Sequence, residues 1–323
     1  MKRIAVLTSG GDAPGMNACV RAVVRYGLAA DARVFGIKRG YQGLLENDIV
    51  ELDSRAVGGV IRSGGTMLMS ARCDEFRTDA GQEKALEVLR GWDIEGLVVV
   101  GGDGSLRGAT ALCERGFPVV GVPASIDNDI PETETALGVD TALNTILDAM
   151  DKIKDTAAAH RRAFIIEVMG RRHGYLALTA GIAGGAEMIV LPNTEIDRDF
   201  VVEEVRSAFM RGKPHFIIVA AEGASTPEKG ITQILSEYIR ESGHEPRSTV
   251  LGHVQRGGSP TCFDRLLGTR FGAAAVEALM AGKSGVMVGI RAGEIVTIDL
   301  REVLAGSPGL NAAILRLAEP LAH

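Results

Sequence analysis

Aromatic residues and positive charge are both in short supply in this chain. Phe, Trp and Tyr make up 4% of the 323 residues, and 35 Lys and Arg against 41 Asp and Glu give a formal net charge of -6. A chain with this balance is not expected to bind nucleic acid or an anionic membrane surface. A phosphate-bearing ligand must therefore be met by a local cluster of basic residues.

Paired cysteines and a long apolar leader are missing as well. The four cysteines stand at Cys19, Cys73, Cys113 and Cys262, with no Cys-x-x-Cys spacing. After Met1-Lys2-Arg3, only five apolar or small residues precede Ser9. We therefore expect reduced cysteines and a cytoplasmic protein without a membrane anchor.

The chain does have 41 glycines and a hydrophobic content of 46%, which suit a compact enzyme of two domains. Short β-branched runs alternate with longer segments of helical period, which predicts an α/β fold with doubly wound, mainly parallel sheets. The predicted strands are 3–8, 33–38, 96–100, 119–122, 164–168, 188–191, 216–220, 249–251 and 286–290, and the predicted helices include 15–28, 80–90, 138–156 and 263–281. Because no low-complexity linker is present, we expect the domain boundary inside a helix or turn near Gly138.

A glycine-rich turn, 101–105 (Gly-Gly-Asp-Gly-Ser), follows one of the apolar runs. Glycine lets the backbone approach a ligand closely, and the next helix offers unpaired N–H groups to an anion. Asp103 would then hold Mg²⁺ beside a nucleotide phosphate. A strand, a glycine turn and an Asp also make an ordinary βα connection, so the motif alone leaves both interpretations open.

Other polar and glycine-rich segments also follow predicted strands, where open α/β sheets bind their ligands. These segments are 9–17, 123–129, 169–174, 222–223 and 252–260. Five or more such strand ends lining one crevice indicate a binding site.

The residue types in these segments match phosphoryl transfer, which needs glycine N–H groups and Mg²⁺, a carboxylate for the acceptor's proton, and cations for the moving group. Asp127 and Asp129 lie two residues apart, so in an extended segment both side chains would point the same way. An Asx-type turn before Pro131 is the alternative. Guanidinium groups suited to a phosphate monoester stand beside glycine or hydroxyl residues at Arg72, Arg162, Arg171, Arg247 and Arg256.

Six motifs in order carry a family resemblance along essentially the whole chain. They are 8–17, 64–66 with Ala71-Arg72, 101–105, 126–129, 167–171, and a signature from Arg247 through 252–258 to Asp264-Arg265. In these motifs the chain resembles the bacterial ATP-dependent 6-phosphofructokinases. The resemblance implies two Rossmann-like domains with the active site in the cleft between them. The ATP-binding domain would comprise 1–138 and about 255–305, and the sugar-phosphate-binding domain 139–254 and about 306–323.

The resemblance also implies a reaction and its residues: Mg²⁺-dependent phosphorylation of fructose 6-phosphate by ATP, the committed step of glycolysis. Asp127 would be the general base toward the sugar 1-hydroxyl, Asp129 would orient the metal or the loop, and Arg171 with Arg72 would stabilise the moving phosphoryl group. ATP would be bound by Gly11, Arg72, Cys73, Gly102, Asp103, Gly104 and Ser105, with Asp103 as the Mg²⁺ ligand. Fructose 6-phosphate would be bound by Ser125, Asp127, Arg162, Met169, Gly170, Arg171, Glu222, Arg247, His253 and Arg256.

The resemblance further implies a homotetramer, in which Arg162 reaches into the active site of a neighbouring subunit. An effector site for ADP as activator and phosphoenolpyruvate as inhibitor would lie at subunit interfaces, formed by Arg21, Arg25, Lys154, Gly185, Glu187, Arg211, Lys213 and His215. From spacing alone, Arg21 and Arg25 are typical of a solvated helix face. The match is incomplete, because Ser54, Gly59 and Lys154 replace two arginines and an acid of the family pattern.

Two departures bear on the phosphoryl donor. Ala124-Ser125 replaces the usual Gly-Thr, and pyrophosphate-using relatives tend to carry Asp at the position of Gly104 and Lys at that of Ala124. Gly104 and Ala124 therefore favour ATP. A pyrophosphate-dependent enzyme or a kinase for another ketose phosphate is the alternative. A non-enzymatic nucleotide sensor is a second alternative, and it predicts loss of Asp103 or Asp127, both of which are present.

Overall fold

A computed structural model describes residues 1–307, 309–310 and 314–317 of the chain. The chain divides into two compact units. Unit 1 contains Met1–Thr141 and the segment that begins at Arg256, and unit 2 contains Ala142–Gln255. The division falls inside one long helix, and elements are numbered along the whole chain.

Unit 1 is built on a seven-stranded sheet with the order β11-β10-β5-β4-β1-β2-β3. Its strands are β1 (Arg3–Ser9), β2 (Arg33–Ile37), β3 (Ile49–Leu52), β4 (Gly96–Gly101), β5 (Val119–Pro123), β10 (Val286–Arg291) and β11 (Glu294–Asp299). The five inner strands run parallel, whereas β3 and β11 pair antiparallel at the two edges. The parallel strands β1, β4 and β5 are buried almost throughout, as a sheet covered on both faces requires.

The helices of unit 1 pack closely where glycine removes a side chain. They are α1 (Met16–Ala29), α2 (Gly40–Leu45), α3 (Asp79–Gly91), α4 (Asp103–Glu114), α9 (Cys262–Met280) and α10 (Leu300–Ala305), with 3-10 turns at Val60–Arg62 and Glu75–Arg77. A Cβ on Gly268 would come within 2.6 Å of the Gly15 carbonyl, and one on Gly272 within 2.5 Å of the Cys19 carbonyl. These two glycines of α9 let its backbone lie directly against α1. Helix α5 (Val139–His160) begins in unit 1 and continues into unit 2.

Unit 2 has a fully parallel four-stranded sheet with the order β7-β8-β6-β9. Its elements are β6 (Ala163–Val168), α6 (Tyr175–Ala183), β7 (Met188–Val190), α7 (Arg198–Met210), β8 (Phe216–Ala221), α8 (Ile231–Glu241) and β9 (Pro246–Val250), with 3-10 turns at Glu222–Ala224 and Gly252–Arg256. Helices α7 and α8 cover the sheet through a cluster that includes Val205, Phe216 and Leu235. No helix in the described part of the chain combines the length and apolar character that a membrane crossing needs.

The prediction of an α/β fold with mainly parallel sheets is confirmed. Two strands were not predicted: β3 and β11 carry polar residues such as Glu51 and Thr297, because each lies at a sheet edge. The predicted strand at 249–251 was wrong in position, since β9 begins three residues earlier, at Pro246. Its residues Arg247 and Ser248 are polar and exposed, so this part of the strand lacks the apolar run that predicts a buried strand.

Candidate active site

The carboxyl ends of β1, β4 and β5 lie side by side in unit 1. Ser9 pairs with Gly101, and Gly101 pairs with Pro123, so the three strands end at the same level. The loops that follow are therefore neighbours at one edge of the sheet. They carry most of the residues that the sequence assigned to ATP and to proton abstraction.

The glycine turn after β4 leads directly into α4. A Cβ on Gly101 would lie 2.5 Å from both the Ser9 carbonyl and the Ser105 hydroxyl, so only glycine fits there. The buried Tyr41 hydroxyl donates a 2.7 Å hydrogen bond to the Ser105 carbonyl. Burial raises the pKa of Tyr41, which keeps this hydroxyl protonated as a donor. This bond fixes the first turn of α4, and the first N–H groups of a helix have no partner within it.

Asp103 is the first residue of α4, and its side chain is about half exposed, at 47%. Arg107, one turn later, donates to one carboxylate oxygen at 3.0 Å. Within the described residues, no group of three or more His, Cys, Asp or Glu side chains is arranged to hold a metal. A single exposed carboxylate suits Mg²⁺, which binds to proteins through one or two carboxylates together with substrate phosphates. A Cβ on neighbouring Gly104 would meet nothing within 4 Å, so open space adjoins Asp103.

Gly11 and Arg256 are in direct contact in unit 1. The Arg256 guanidinium donates to the Asp12 carbonyl at 3.1 Å, and a Cβ on Gly11 would lie 2.3 Å from its Nη1 atom. Glycine at position 11 therefore leaves the space that the guanidinium fills. Arg256 is predicted to bind the sugar phosphate and Gly11 to bind ATP, and the structure places them together.

The loop after β5 turns sharply, so the premise that Asp127 and Asp129 lie in an extended segment was wrong. Residues 126–127 form a turn, and Asn128 has a left-handed backbone with φ of 48°. The Asn128 side chain accepts from the Ala136 N–H at 3.0 Å and donates to the Glu134 carbonyl at 3.1 Å. The Ser125 hydroxyl bonds to Asp129 at 2.7 Å, so Asp129 helps to hold the loop that presents the half-buried Asp127.

Asp264, a residue of the family signature without an assigned role, is fully buried and caps α5. Its carboxylate accepts from the Gly138 and Thr141 N–H groups at 2.9 and 2.8 Å and from the Thr141 hydroxyl at 2.6 Å. Burial raises the pKa of this carboxyl group. The capped residues lie 123 and 126 positions away, so spacing along the chain gave no signal of the contact.

Unit 2 presents a second group of predicted residues at the carboxyl edge of its sheet. Met169 and Gly170 follow β6, and Glu222 follows β8. The Arg171 guanidinium lies 3.6 Å from the Glu222 carboxylate, and the Gly223 N–H donates to the Gly170 carbonyl at 3.1 Å. Gly170 needs its glycine, since its φ is 130° and a Cβ would lie 2.5 Å from the His173 carbonyl.

Gln255 links the loop after β6 to the 3-10 turn Gly252–Arg256. Its buried side-chain oxygen accepts from the Met169 N–H at 3.3 Å, while its Nε2 donates to the Gly252 carbonyl at 2.9 Å. Neighbouring His253, which is predicted to bind the sugar phosphate, is exposed on this turn. Gln255 belongs to the family signature, but its role depends on a contact that is distant in sequence.

Arg162 and Arg247 lie together at the opposite side of the same sheet, at the amino-terminal ends of its strands. Glu245 joins them, 3.7 Å from the Nη2 atom of Arg162 and 2.9 Å from that of Arg247. Residues 163 and 247 sit at the beginnings of β6 and β9, whereas Met169 follows the end of β6. Six residues of a strand span about 16 to 20 Å. The predicted sugar-phosphate residues of unit 2 therefore form two groups, one at each end of the strands.

Glu167 is a second carboxylate beside the carboxyl edge. It is the fifth residue of β6, is half-buried, and is hydrogen-bonded through its side chain to Thr232. Burial, followed by the charge of Glu222, raises the pKa of Glu167. Glu167 belongs to the family motif at 167–171, but no function was predicted for it from the sequence.

Unit 2 also brings together part of the predicted effector set. Glu187 lies 3.5 Å from the Lys213 ammonium and 4.0 Å from the His215 ring, and accepts the Ile217 N–H at 2.7 Å. The Lys154 ammonium donates to the Gly184 carbonyl and would lie 3.5 Å from a Cβ on Gly185. Arg211 bonds instead to Ser207 on its own helix. Arg21 and Arg25 are on α1 of unit 1.

A cavity of about 490 Å³ lies in unit 2, beyond the ends of β7 and β8. Its walls include Asn193, Glu195, Thr226, Lys229 and Tyr238. Lys229 is paired with Glu237, at 2.6 Å. None of the predicted sugar-phosphate residues lines this cavity, so the functional set lies elsewhere.

Comparison with known proteins gives consistent results. A family model described as Phosphofructokinase matches residues 3–279. An ATP-dependent 6-phosphofructokinase from Brevibacillus brevis is 52% identical over 322 residues, which cover 99% of both chains. One from Halalkalibacterium halodurans is 51% identical over 321 residues, again 99% of both. The crystal structure of Pichia pastoris phosphofructokinase matches 99% of this chain and 37% of its own, with a TM-score of 0.89 and 37% identity.

Proposed function

Because this chain belongs to the phosphofructokinase family, we propose that it transfers the γ-phosphoryl group of ATP to the 1-hydroxyl of fructose 6-phosphate. The products are ADP and fructose 1,6-bisphosphate. The observation that carries the proposal is the alignment of the β1, β4 and β5 ends in unit 1. That alignment puts a glycine turn with Asp103 beside the loop that presents Asp127, as phosphoryl transfer requires.

Asp127 is the proposed general base. An aspartate carboxylate is ionised at neutral pH and accepts the 1-hydroxyl proton as that oxygen attacks the γ-phosphorus. The bond from the γ-phosphorus to the oxygen of ADP breaks in the same step. Arg72 and Arg171 are proposed to stabilise the charge on the phosphoryl group as it moves, which is the main work of a phosphoryl-transfer site. Asp129 keeps the base-bearing loop in shape through Ser125.

Gly11, Arg72, Cys73 and the turn 102–105 are proposed to bind ATP. The α4 N-terminus offers its free N–H groups to a phosphate, and Asp103 is the proposed ligand of Mg²⁺. When bound, Mg²⁺ neutralises charge on the polyphosphate. The half-exposed carboxylate and the open space at Gly104 fit such an ion.

Fructose 6-phosphate is proposed to meet Ser125, Met169, Gly170, Glu222, His253 and Arg256 of its own chain. Arg162 is proposed to serve a neighbouring subunit of a homotetramer. Since Glu245 joins Arg247 to Arg162 at the amino edge of the unit 2 sheet, we assign Arg247 to the same inter-subunit role. Both arginines would exchange Glu245 for the substrate's phosphate, a bidentate partner that guanidinium groups bind strongly.

ATP, rather than pyrophosphate, is the proposed donor. Gly104 leaves room for an α-phosphate, and the buried Ala124 lacks the ammonium group that would bind pyrophosphate. The names of the relatives that are 51% and 52% identical agree with this choice.

A cytoplasmic location and an effector site for ADP and phosphoenolpyruvate complete the proposal. Support for the effector site is the convergence of Lys213 and His215 on Glu187, with Lys154 beside Gly185. A nucleoside diphosphate would find cations there for its phosphates. Initial rates against fructose 6-phosphate, with and without each effector, test this part of the proposal, and superimposable curves would contradict it.

A coupled assay tests the main proposal by comparing ATP and pyrophosphate as donors to fructose 6-phosphate. We expect turnover with ATP and none with pyrophosphate. Asp127→Ser should lower kcat by about 10² to 10⁴-fold, since the general base is lost. Asp53→Ser, on an exposed loop of unit 1, is the matched control. Unchanged turnover in Asp127→Ser would refute the base, and turnover with pyrophosphate alone would refute the donor.

A further inference from the structure

Asn17 is a buried polar residue of unit 1 to which no function has been given so far. It is the second residue of α1 and is 3% exposed. Its Nδ2 donates to the Ser63 carbonyl at 3.0 Å and to the Gly64 carbonyl at 3.2 Å, and its Oδ1 accepts from the Met67 N–H at 2.7 Å. One amide thus uses both donors and an acceptor on a single stretch of backbone.

The stretch that Asn17 holds, residues 63–70, contains no helix or strand. We call it the 63–70 loop. Two further bonds fix its far end to β1 and the turn after it. The Thr8 hydroxyl donates to the Met69 carbonyl at 2.8 Å, and the Ser70 hydroxyl donates to the Gly10 carbonyl at 2.6 Å. The loop is therefore fixed by the side chains of Asn17 and Thr8 outside it and by its own Ser70.

The 63–70 loop leads directly to Arg72 and touches the segment that carries Arg256. A Cβ on Gly64 would lie 2.3 Å from the Gly258 carbonyl, so the two backbones are in contact. Ser70 is two residues before Arg72, and Gly258 is two residues after Arg256. Because Ser70 bonds to Gly10 in the turn after β1, a shift of the loop would displace Arg72 relative to that turn.

We propose that Asn17 is a positioning residue for phosphoryl transfer: its amide fixes the 63–70 loop, and through it holds Arg72 at the nucleotide site. This inference rests on the role proposed above for Arg72. The chemistry requires an amide at this position. An aspartate of the same shape would accept from Met67 but would face the Ser63 and Gly64 carbonyls with no hydrogen to donate, which leaves buried acceptors unsatisfied.

The test compares Asn17→Asp with Asn47→Asp. Asn47 is a matched control in unit 1, because its Oδ1 only accepts a bond, from Trp92, and aspartate keeps that acceptor. For Asn17→Asp we expect kcat to fall about 10²-fold, as misplacement of a catalytic group does. The KM for ATP should rise about 10-fold, and the KM for fructose 6-phosphate should change less than twofold. Loss of folded protein alone would lower kcat and leave both KM values unchanged.

A double-mutant cycle with Arg72→Ala tests whether Asn17 acts through Arg72. If it does, Asn17→Asp should have little further effect on kcat when Arg72 is already absent. Additive losses would overturn the inference while leaving the role of Arg72 intact. Full activity of Arg72→Ala would overturn both. If Asn17→Asp does not fold, Asn17→Ala removes the same bonds without adding a charge, and the same cycle applies.

Nucleotide affinity provides a readout that is independent of the sugar substrate. Calorimetric titration with ATP and Mg²⁺ should show about 10-fold weaker binding for Asn17→Ala than for Asn47→Ala. Equal affinities would overturn the inference even if the enzyme phosphorylates fructose 6-phosphate. A weaker affinity without any sugar phosphorylation would instead refute the proposed reaction and keep the link between Asn17 and the nucleotide site.

Discussion

The two units hold their predicted site residues in different ways. In unit 1, apart from the Arg107 pair with Asp103, the 63–70 loop and the loop after β5 are fixed mainly by uncharged side chains such as Thr8, Asn17 and Asn128. In unit 2, four of the predicted cations lie against carboxylates: Arg171 against Glu222, Arg162 and Arg247 against Glu245, and Lys213 against Glu187.

The difference shows how each unit would receive its ligand. Loops fixed by uncharged hydrogen bonds keep their shape without a ligand, and such preorganisation favours transition-state stabilisation. An exposed cation paired with a carboxylate is weakly held and can change partner when a phosphate arrives. Substitutions in unit 1 should therefore have larger effects on the reaction than the removal of a paired carboxylate in unit 2.

Among the substitutions that test this comparison, the largest effect is expected from Gly11→Ala. Its Cβ would overlap the mobile end of Arg256, so the guanidinium must move while the backbone can stay in place. Losing a charged hydrogen bond of about 1.5 to 3 kcal/mol should raise the KM for fructose 6-phosphate about 10- to 100-fold. Steady-state kinetics check this. Gly91→Ala, where a Cβ meets nothing within 4 Å, is the control, and an unchanged KM in Gly11→Ala would remove Arg256 from the site.

A smaller effect on donor binding is expected from Gly104→Asp. Position 104 is open, and an acid in the first turn of a helix is favourable, so the fold should tolerate the change. Repulsion between the new charge and the polyphosphate should raise the KM for ATP about 10-fold. Gly230→Asp adds the same charge at the N-cap of α8 and serves as the control. Equal KM values for ATP would show that residue 104 does not select the donor.

A still smaller effect is expected from Glu245→Gln in unit 2. The exposed ion pairs with Arg162 and Arg247 are worth about 0 to 1 kcal/mol, so freeing both arginines should lower the KM for fructose 6-phosphate by up to about fivefold. Glu241→Gln, which disrupts an unrelated pair with Arg198, should leave it unchanged. A higher KM in Glu245→Gln would mean that the carboxylate orients the arginines rather than competing with the phosphate.

The smallest effect concerns stability and pH. The pKa of Glu167 is raised in the folded chain, so the folded state holds this proton more tightly than the unfolded state does. Its stabilising contribution is present below the unfolded pKa and is lost as pH rises through the folded pKa. Glu167→Gln should therefore raise the free energy of unfolding at pH 8 by less than about 1 kcal/mol relative to wild type, which appears as a higher melting temperature. This gain should shrink toward pH 4.

Glu237→Gln is the control of opposite sign. The Lys229 bond lowers the pKa of Glu237, so this carboxylate contributes stability above its unfolded pKa and loses it as pH falls through the folded one. Its replacement should cost stability at neutral pH, and the difference from wild type should vanish in acid. Melting curves from pH 4 to 8 for both variants would separate the two signs, and parallel curves would contradict the assignment for Glu167.

Much of the fold could be predicted because parallel strands are apolar runs that end in glycine or polar residues. The runs at 3–8, 96–100 and 216–220 match β1, β4 and β8 within one residue. The family prediction is likewise confirmed by the comparisons. The edge strands β3 and β11 were not predicted, because one side of each lacks a strand partner and such strands tolerate polar residues.

The supporting residues of the site could not be predicted from spacing. Asn17, Gln255 and Asp264 act through bonds to partners between 46 and 126 positions away, apart from the local bond of Gln255 to Gly252. The sequence does not state such contacts, because they exist only once the strands are ordered in the sheet. The turn at Asp127 was predicted only as the alternative to an extended segment, and Asn128 holds it through Glu134 and Ala136, six and eight positions away.

The long-range cap on α5 bears on how the chain folds as it is made. The four strands of unit 2 all lie between Ala142 and Gln255, so they are available before Asp264 has been synthesised. Unit 1 begins earlier but stays incomplete, because α9, with the Asp264 carboxylate, and β10 come from residues after Gln255. On the ribosome, the sheet of unit 2 can therefore form first, and the sheet of unit 1 must wait for its final segment.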